Sequence, residues 1–309
     1  MHVRVLGSAA GGGVPQWNCA CANCRTARDK PQLRRLQASL AISGDGKKWL
    51  LANATPDVSH QIDSYEMLAP ATGRHSNVSA VILTDANVDH AFGLLELRQA
   101  EKLCVYSTET VRDVLLAGCS AFGAFTKPPH SWQVIADSPV HLHDASKLPM
   151  GLSARTLDVG GITPQYDGAR EKAGATSAIL INDGTRKLMY APTIGAVTEA
   201  LRRELALADA AFLDGTFFTD HELSAHAFGR RTARQMGHLP ISGEGGILPS
   251  VIGLGGRHRY FTHMNNTNPI LDASSQAARA VHDAGWQLAE DGLTFALTKE
   301  AGKAAGTQR

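Results

Sequence analysis

The stretch that most constrains this chain is residues 81–98, VILTDANVDHAFGLLELR. An apolar run ends in a polar corner from Thr84 to His90, and after Gly93 come leucines at helical spacing. Residues 77–83 are almost all apolar, as in a strand buried on both faces, and the pattern after the corner predicts a helix. Strand, polar tip and helix form the unit of helix-on-sheet architectures, and the tip is where a rigid scaffold presents chemistry.

The same unit recurs along the chain. Residues 2–7 read as a first strand, followed by the glycine-rich turn 7–13. No Gly-Lys-Ser/Thr follows, and Gln16 stands where a dinucleotide fingerprint needs a third glycine, so the turn is expected to line a site and not to cradle phosphate. Hairpins are expected over 38–53, around Gly44-Asp45-Gly46, and over 176–191, around Asp183-Gly184. Helices are expected over 57–68, 108–117 with Thr108 as cap, 196–206, 231–236 and 273–284. Strands over 210–216 and 259–263 deliver Asp214 and His263 to their ends. Residues 127–149 read as loop with short strands, where His130, His141 and His143 are solvated or hydrogen-bonded and not ligands.

Cys19-x-Cys21-x-x-Cys24 lies in a polar loop, residues 15–30. Three thiolates so close match the sulfur-rich environment of structural zinc, which would also pin the loop. A redox Cys-x-x-Cys has less support because no helix N-terminus is expected at Cys21 to lower its pKa. Five cysteines, an odd number, do not make a disulfide framework, and Cys104 and Cys119 read as small core residues.

Composition narrows the function classes. The 309 residues are 43% hydrophobic and 19% charged, with 30 Lys+Arg against 29 Asp+Glu, a net charge of +1. Such a balance suggests neither nucleic acid nor a membrane surface as partner. No apolar run reaches the ~18 residues of a membrane span or resembles a secretory signal, so the expected location is cytoplasmic. One domain over 1–309 is expected, with a frayed tail from about 300 to 309.

Metal-friendly side chains therefore gather at strand tips: Asp85, Asn87, Asp89 and His90 after one, Asp214 and His263 after others. The run from Thr84 to Leu94 resembles the H-x-H-x-D-H-x-x-G signature of the metallo-β-lactamase superfamily. The glycine-rich start and the Cys-x-Cys-x-x-Cys loop resemble the branch that includes the phosphodiesterase of phosphonate breakdown. Within it, VPQWNCACANC, LTDANVDHAFGLLELR, FLDGTFF, MGHLPI and FTHMNNTNPIL resemble, from end to end, a family serving the biosynthesis of pyrroloquinoline quinone (PQQ). The resemblance implies an α/β fold, a four-layer αββα sandwich.

It also implies a ligand set. The first two histidines of the superfamily signature are here Asp85 and Asn87, and neither 175–177 nor 190–193 offers the further ligands of a two-metal hydrolase. Asp89, His90 and His263 remain, and two imidazoles with one carboxylate are the ligand set of non-haem Fe(II) oxygenases, although they also fit zinc. The resemblance thus implies Fe(II)-dependent hydroxylation of the tyrosine ring in the excised, cross-linked Glu-Tyr precursor of PQQ. His238 would move protons or orient the phenol, Asp214 would support a ligand histidine or reach the metal, and Asp85 and Asn87 would contact substrate or water. Arg230, Arg231 and Arg257 are candidates for meeting the substrate's carboxylates. The branch pattern puts Asn266, a poor zinc ligand, fourth at the cysteine site, so water, an acid or another histidine is expected there. The alternative is a carrier for PQQ or its precursor without catalysis; a hydrolase is disfavoured. Other PQQ-pathway proteins or a homodimer are compatible partners.

Overall fold

The computed structural model describes residues 1–70, 72–73, 76–225 and 229–298; the tail 300–309 lies outside them. The described strands, in chain order, are β1 (His2–Gly7), β2 (Ser39–Ser43), β3 (Trp49–Ala52), β4 (Val78–Ile82), β5 (Cys104–Ser107), β6 (Ser131–Val134) and β7 (Val140–His143). They continue with β8 (Pro149–Asp158), β9 (Ser177–Asn182), β10 (Lys187–Ala191), β11 (Ala210–Asp214), β12 (His258–Thr262), β13 (Gln287–Leu288) and β14 (Thr294–Ala296). One sheet has the order β14-β1-β2-β3-β4-β5-β6, the other β13-β12-β11-β10-β9-β8-β7. From β3 to β6 the first sheet is parallel, and so is the second from β10 to β13. Parallel neighbours end on the same edge, so each sheet collects its strand tips on one side.

Alternation at period two builds the core. Val3, Val5, Leu40, Ile42 and Ile82 meet Ile179, Ile181, Leu188, Tyr190 and Phe212 between the sheets. The other face of the first sheet, with Leu51, Val81 and Val105, is covered by helix residues Val58, Leu94, Val111 and Leu115. On the far side Met189, Ala211, Leu213 and Phe261 pack against Leu201, Leu205, Val281 and Trp286. Four layers result, helix-sheet-sheet-helix, the αββα sandwich that the resemblance implied. Among the described residues no helix is long and apolar enough to cross a membrane.

The helices are shorter than expected where caps or packing intervene. Residues 196–206 contribute only Glu199–Ala206, because the Thr198 hydroxyl accepts Leu201 N–H at 3.1 Å and starts the helix there. Residues 273–284 contribute Gln276–Asp283, capped by Ser275 in the same way. The 57–68 helix is Val58–Asp63, and 231–236 holds only a 3₁₀ turn, Arg234–Met236. β8, where no element was expected, buries Met150, Leu152, Ala154 and Thr156 in alternation; Gly151 and Ser153 between them weaken its apolar signal.

The corner itself holds a helical turn, Val88–Ala91, and the helix expected after Gly93 is only Leu94–Leu97. Gly93, between them, donates its N–H to Ala54 O at 2.9 Å, and a Cβ there would lie 2.0 Å from Thr55 O. Backbone meets backbone here, an approach open only to glycine. Gly93→Ala should therefore cost about 1–3 kcal/mol of stability through overpacking. The check is a lower urea midpoint at unchanged slope; an unchanged midpoint would show that the two segments part freely.

Candidate metal centre

The corner begins with a buried polar link between strands. Asn53, at a left-handed φ of 68° after β3, accepts Thr84 N–H at Oδ1 (3.0 Å) after β4. Asp85 follows, wholly buried. Its Oδ2 lies 2.7 Å from His90 Nδ1 and 2.9 Å from Thr84 Oγ1, and its Oδ1 accepts the Asn87 N–H (2.9 Å) and Nδ2 (2.8 Å). Asp85 is thus committed to orienting His90, and the expectation that it contacts substrate is overturned: its oxygens are spent inside the corner. Asn87 steadies Asp85 and also borders the pocket.

Holding Nδ1–H leaves His90 Nε2 as the coordinating atom. That nitrogen is buried, has no hydrogen-bond partner and lies 3.9 Å from Asp89 Oδ2. An orphaned buried nitrogen is costly unless something binds it. A carboxylate behind an imidazole whose free nitrogen points to a shared centre is the usual support of a metal-ligating histidine.

His263 follows β12, with a left-handed φ of 58°. Its Nε2 lies 3.0 Å from Asp89 Oδ2, and its Nδ1 lies 2.7 Å from Thr216 Oγ1. Thr216 has one hydroxyl proton, and its shortest contact, 2.6 Å, is to Asp214 Oδ1. With that proton given to Asp214, the hydroxyl accepts from His263 Nδ1–H. Nε2 is then a bare lone pair facing a carboxylate oxygen, two acceptors that a cation would bridge. Asp89, His90 and His263 offer ligand atoms all within 4.8 Å of one another, so these donors fit a divalent metal. Gly11 closes the other side, where a Cβ would lie 3.2 Å from Asp89 Oδ2.

Asp214 and His238 form a second buried pair. Asp214 Oδ2 lies 2.8 Å from His238 Nδ1 and accepts Ile194 N–H at 2.8 Å, while Oδ1 accepts Thr216 N–H at 3.0 Å. Asp214 therefore reaches His263 only through Thr216, and its direct partner is His238, whose ring stacks on His263 at 5.5 Å between centroids. Asp214, His238 and His263 also offer ligand atoms within 4.8 Å. Thr216 is the residue that the sequence reading missed; the one hint was a hydroxyl two places after a strand-end Asp, the spacing of a side-chain turn.

Burial and charge compete throughout. Burial raises the Asp89 carboxyl, but His90 and His263 outweigh it and hold it well below the usual range. Burial lowers His90, yet Asp85 and Asp89 prevail and push it up to about 9. Burial depresses His263, against the pull of Asp89. His238 is lowered by burial and raised more strongly by Asp214.

The cysteine loop forms a separate cluster. Cys19, Cys21 and Cys24 bring their sulfurs within 4.8 Å of one another, and among the described residues no histidine or carboxylate joins them. Asn266 does: its Nδ2 lies 3.0, 3.5 and 3.3 Å from the sulfurs of Cys19, Cys21 and Cys24. The side chain doubted as a fourth ligand is thus the one at the fourth corner. A half-turn of its carboxamide exchanges nitrogen for oxygen, which would then face a zinc ion held by the thiolates. A second correction concerns Cys21, which is the N-cap of helix Ala22–Asp29, its sulfur accepting Cys24 N–H at 3.4 Å. Burial raises its thiol, but this and neighbouring hydrogen bonds bring it below its ordinary value, whereas burial pushes Cys24 up to about 11.

A cavity of about 240 Å³ opens beside Asp89 and His263, bordered by Asn87, Thr193, Arg231 and His238. Of the three candidate arginines only Arg231 lines it; Arg230 is exposed outside its lining, and Arg257 precedes β12, at the end away from His263. His143 turns its Nδ1 to His141 O at 2.9 Å, and His130 packs on Phe125, so these histidines assemble no ligand set among the described residues.

Two measurements test the centre. Below about 9 the metal-free His90 carries a proton that metal must displace, so, with the cysteine cluster already filled with zinc, the apparent zinc affinity of the Asp89-His90-His263 centre should rise with pH, by up to about tenfold per unit, and level off above that value. Titration calorimetry in buffers of different ionisation enthalpy should show the released proton. Asp85→Asn should weaken zinc binding about 10–100-fold by releasing His90; wild-type affinity in that variant would deny Asp85 its supporting role.

Residues 48–264 match the family model of the β-lactamase superfamily domain. The coenzyme PQQ synthesis protein B of Methylobacterium sp. (strain 4-46) is 40% identical over 308 residues, covering 96% of this chain and 100% of that protein. The crystal structure of Zn(2+)-bound PqqB from Methylobacterium extorquens matches with a TM-score of 0.87 at 37% identity, over 96% of this chain and 100% of that one. A diphosphatase of the PhnP family shares the fold, with a TM-score of 0.67 at 21% identity over 96% and 98% of the two chains. With a relative of this identity matched over nearly all of both sequences, the chain belongs to the coenzyme PQQ synthesis protein B family of the β-lactamase superfamily.

Proposed function

We propose that this protein is a metal-dependent enzyme of PQQ biosynthesis, a non-haem Fe(II) hydroxylase acting on the tyrosine ring of the excised, cross-linked Glu-Tyr precursor. The observation that carries the reading is the donor set: one carboxylate and two imidazoles, Asp89, His90 and His263, converging beside a pocket, with His90 Nε2 left without a partner. Asp89, His90 and His263 would hold the metal, and iron(II) in such a set supplies the activation of dioxygen. The names of the relatives, coenzyme PQQ synthesis proteins, supply the pathway.

The chain's own residues do the rest. Asp85 and Thr216 engage the Nδ1 of His90 and of His263, so both rings turn Nε2 to the shared centre. His238, with Nδ1 committed to Asp214, keeps Nε2 to exchange a proton with a phenol in the pocket; Asp214 favours its charged form. Ile162, Phe217 and Met236 give the pocket an apolar side suited to an aromatic ring.

The test is anaerobic reconstitution with Fe(II), then oxygen, a two-electron reductant and a tyrosine-containing substrate, so that one atom of dioxygen enters the ring and the other leaves as water. Mass spectrometry should find the product heavier by one oxygen atom. Asp89→Ala and His90→Ala should each lower turnover by more than about 100-fold. Equal turnover by the zinc form without iron would overturn the reading.

A further inference from the structure

The mechanism above uses the metal ligands and the His238–Asp214 pair, but it leaves two features of the same pocket without a task. Thr193 borders the cavity, is 4% exposed, and its Oγ1 has no hydrogen-bond partner. A hydroxyl taken out of water and left unpaired is destabilising, and so is retained where a ligand pairs it. Arg231 is the only lysine or arginine among the described residues that line the cavity, and Asp89 is the only acid. With Asp89 turned to His90 and His263, Arg231, an exposed residue at the rim, faces no other acid among the described residues of the lining. Arginine presents a planar fork of donors suited to a carboxylate. Ile162, Phe217 and Met236 supply apolar surface in the same lining.

We propose that Thr193 and Arg231 form a substrate subsite for an aromatic carboxylic acid, in which the Thr193 hydroxyl pairs a polar atom of the ligand and Arg231 takes its carboxylate. The subsite deepens the functional reading given above and rests on this pocket being where substrate binds, but not on which metal is held or on the oxidation. It assigns two different tasks. Arg231 discriminates charge, while Thr193 contributes to every ligand that fills the pocket, charged or not. Asn87, whose Nδ2 is committed to Asp85, borders the same space as a neutral wall.

The experiment uses the full chain loaded with zinc and two probes that share a phenol and differ in charge, N-acetyl-L-tyrosine and N-acetyl-L-tyrosinamide. Calorimetry should find the acid bound about tenfold more tightly than the amide, a preference that shrinks as salt is raised. Arg231→Gln should bring that ratio to about one while leaving the amide's affinity unchanged, and Arg231→Lys should restore part of it. Thr193→Val should weaken both probes by a similar factor and keep the ratio. Because it removes an unpaired buried hydroxyl, Thr193→Val should melt no lower than the wild type, which separates lost binding from lost folding. A ratio that persists in Arg231→Gln, probes that do not bind the wild type, or unchanged binding by Thr193→Val would each overturn the subsite. Hydroxylation absent while the charge preference persists would overturn only the proposed chemistry; hydroxylation intact without the preference would overturn only the subsite.

Discussion

Asp89 stands beyond the tip of β4 in one sheet and His263 beyond the tip of β12 in the other, and their oxygen and nitrogen face each other at 3.0 Å. That contact is the constraint around which the edge of the sandwich is arranged. Thr216 commits its proton to Asp214, which places the His263 proton on Nδ1 and leaves two acceptors opposed. Such a pair is stable around a cation or a shared proton. A cation bound between them would therefore also tie the two sheets together at this edge.

Sustaining the contact requires an unusual concentration of buried charge. Asp85, Asp214, His90 and His263 are all buried. Isolated carboxylates could not remain ionised there, because the cost of leaving water is several kcal/mol or more per ion. Each is offset locally: Asp85 by His90, Thr84 and two donors of Asn87, and Asp214 by His238, Thr216 and the Ile194 amide. Polar networks satisfied in this way hold side chains in one arrangement, as a metal site needs.

Much of this arrangement was legible in the sequence because it is local. Apolar runs that end in Asp or His mark strand tips, and parallel strands bring those tips to one edge, so the ligand candidates and the layered fold could be read together. What escaped was set by contacts between distant segments. Asp85 looked like a free acid because its partner His90 is reached only when the chain folds back at Asn87. Gly93 read only as the lead-in to a helix, because its close neighbour, Thr55, lies 38 positions earlier in the chain (93 minus 55). Cys21 looked uncapped because the helix after it, ANCRTARD, has too little apolar content to announce it. Thr193 and Thr216 carry no composition signal, since a threonine's role depends on what its single proton meets.

The segment from His263 to Asn268 joins both clusters. Its backbone is tied to the glycine-rich turn, with Met264 N–H donating to Ser8 O and Met264 O accepting from Ala10 N–H, both at 2.9 Å. Three residues on, Asn266 meets the cysteine sulfurs, Asn23 Nδ2 binds the carbonyls of Asn266 and Asn268 at 3.0 Å, and Asn268 Nδ2 holds Gly215 O at 2.8 Å. The sulfur cluster thus acts on the strap that carries a ligand of the other centre. Thiol oxidation at Cys19, Cys21 or Cys24 would reach the other cluster mechanically, as slack in the support of His263, with Asp89, His90 and His263 themselves chemically unchanged.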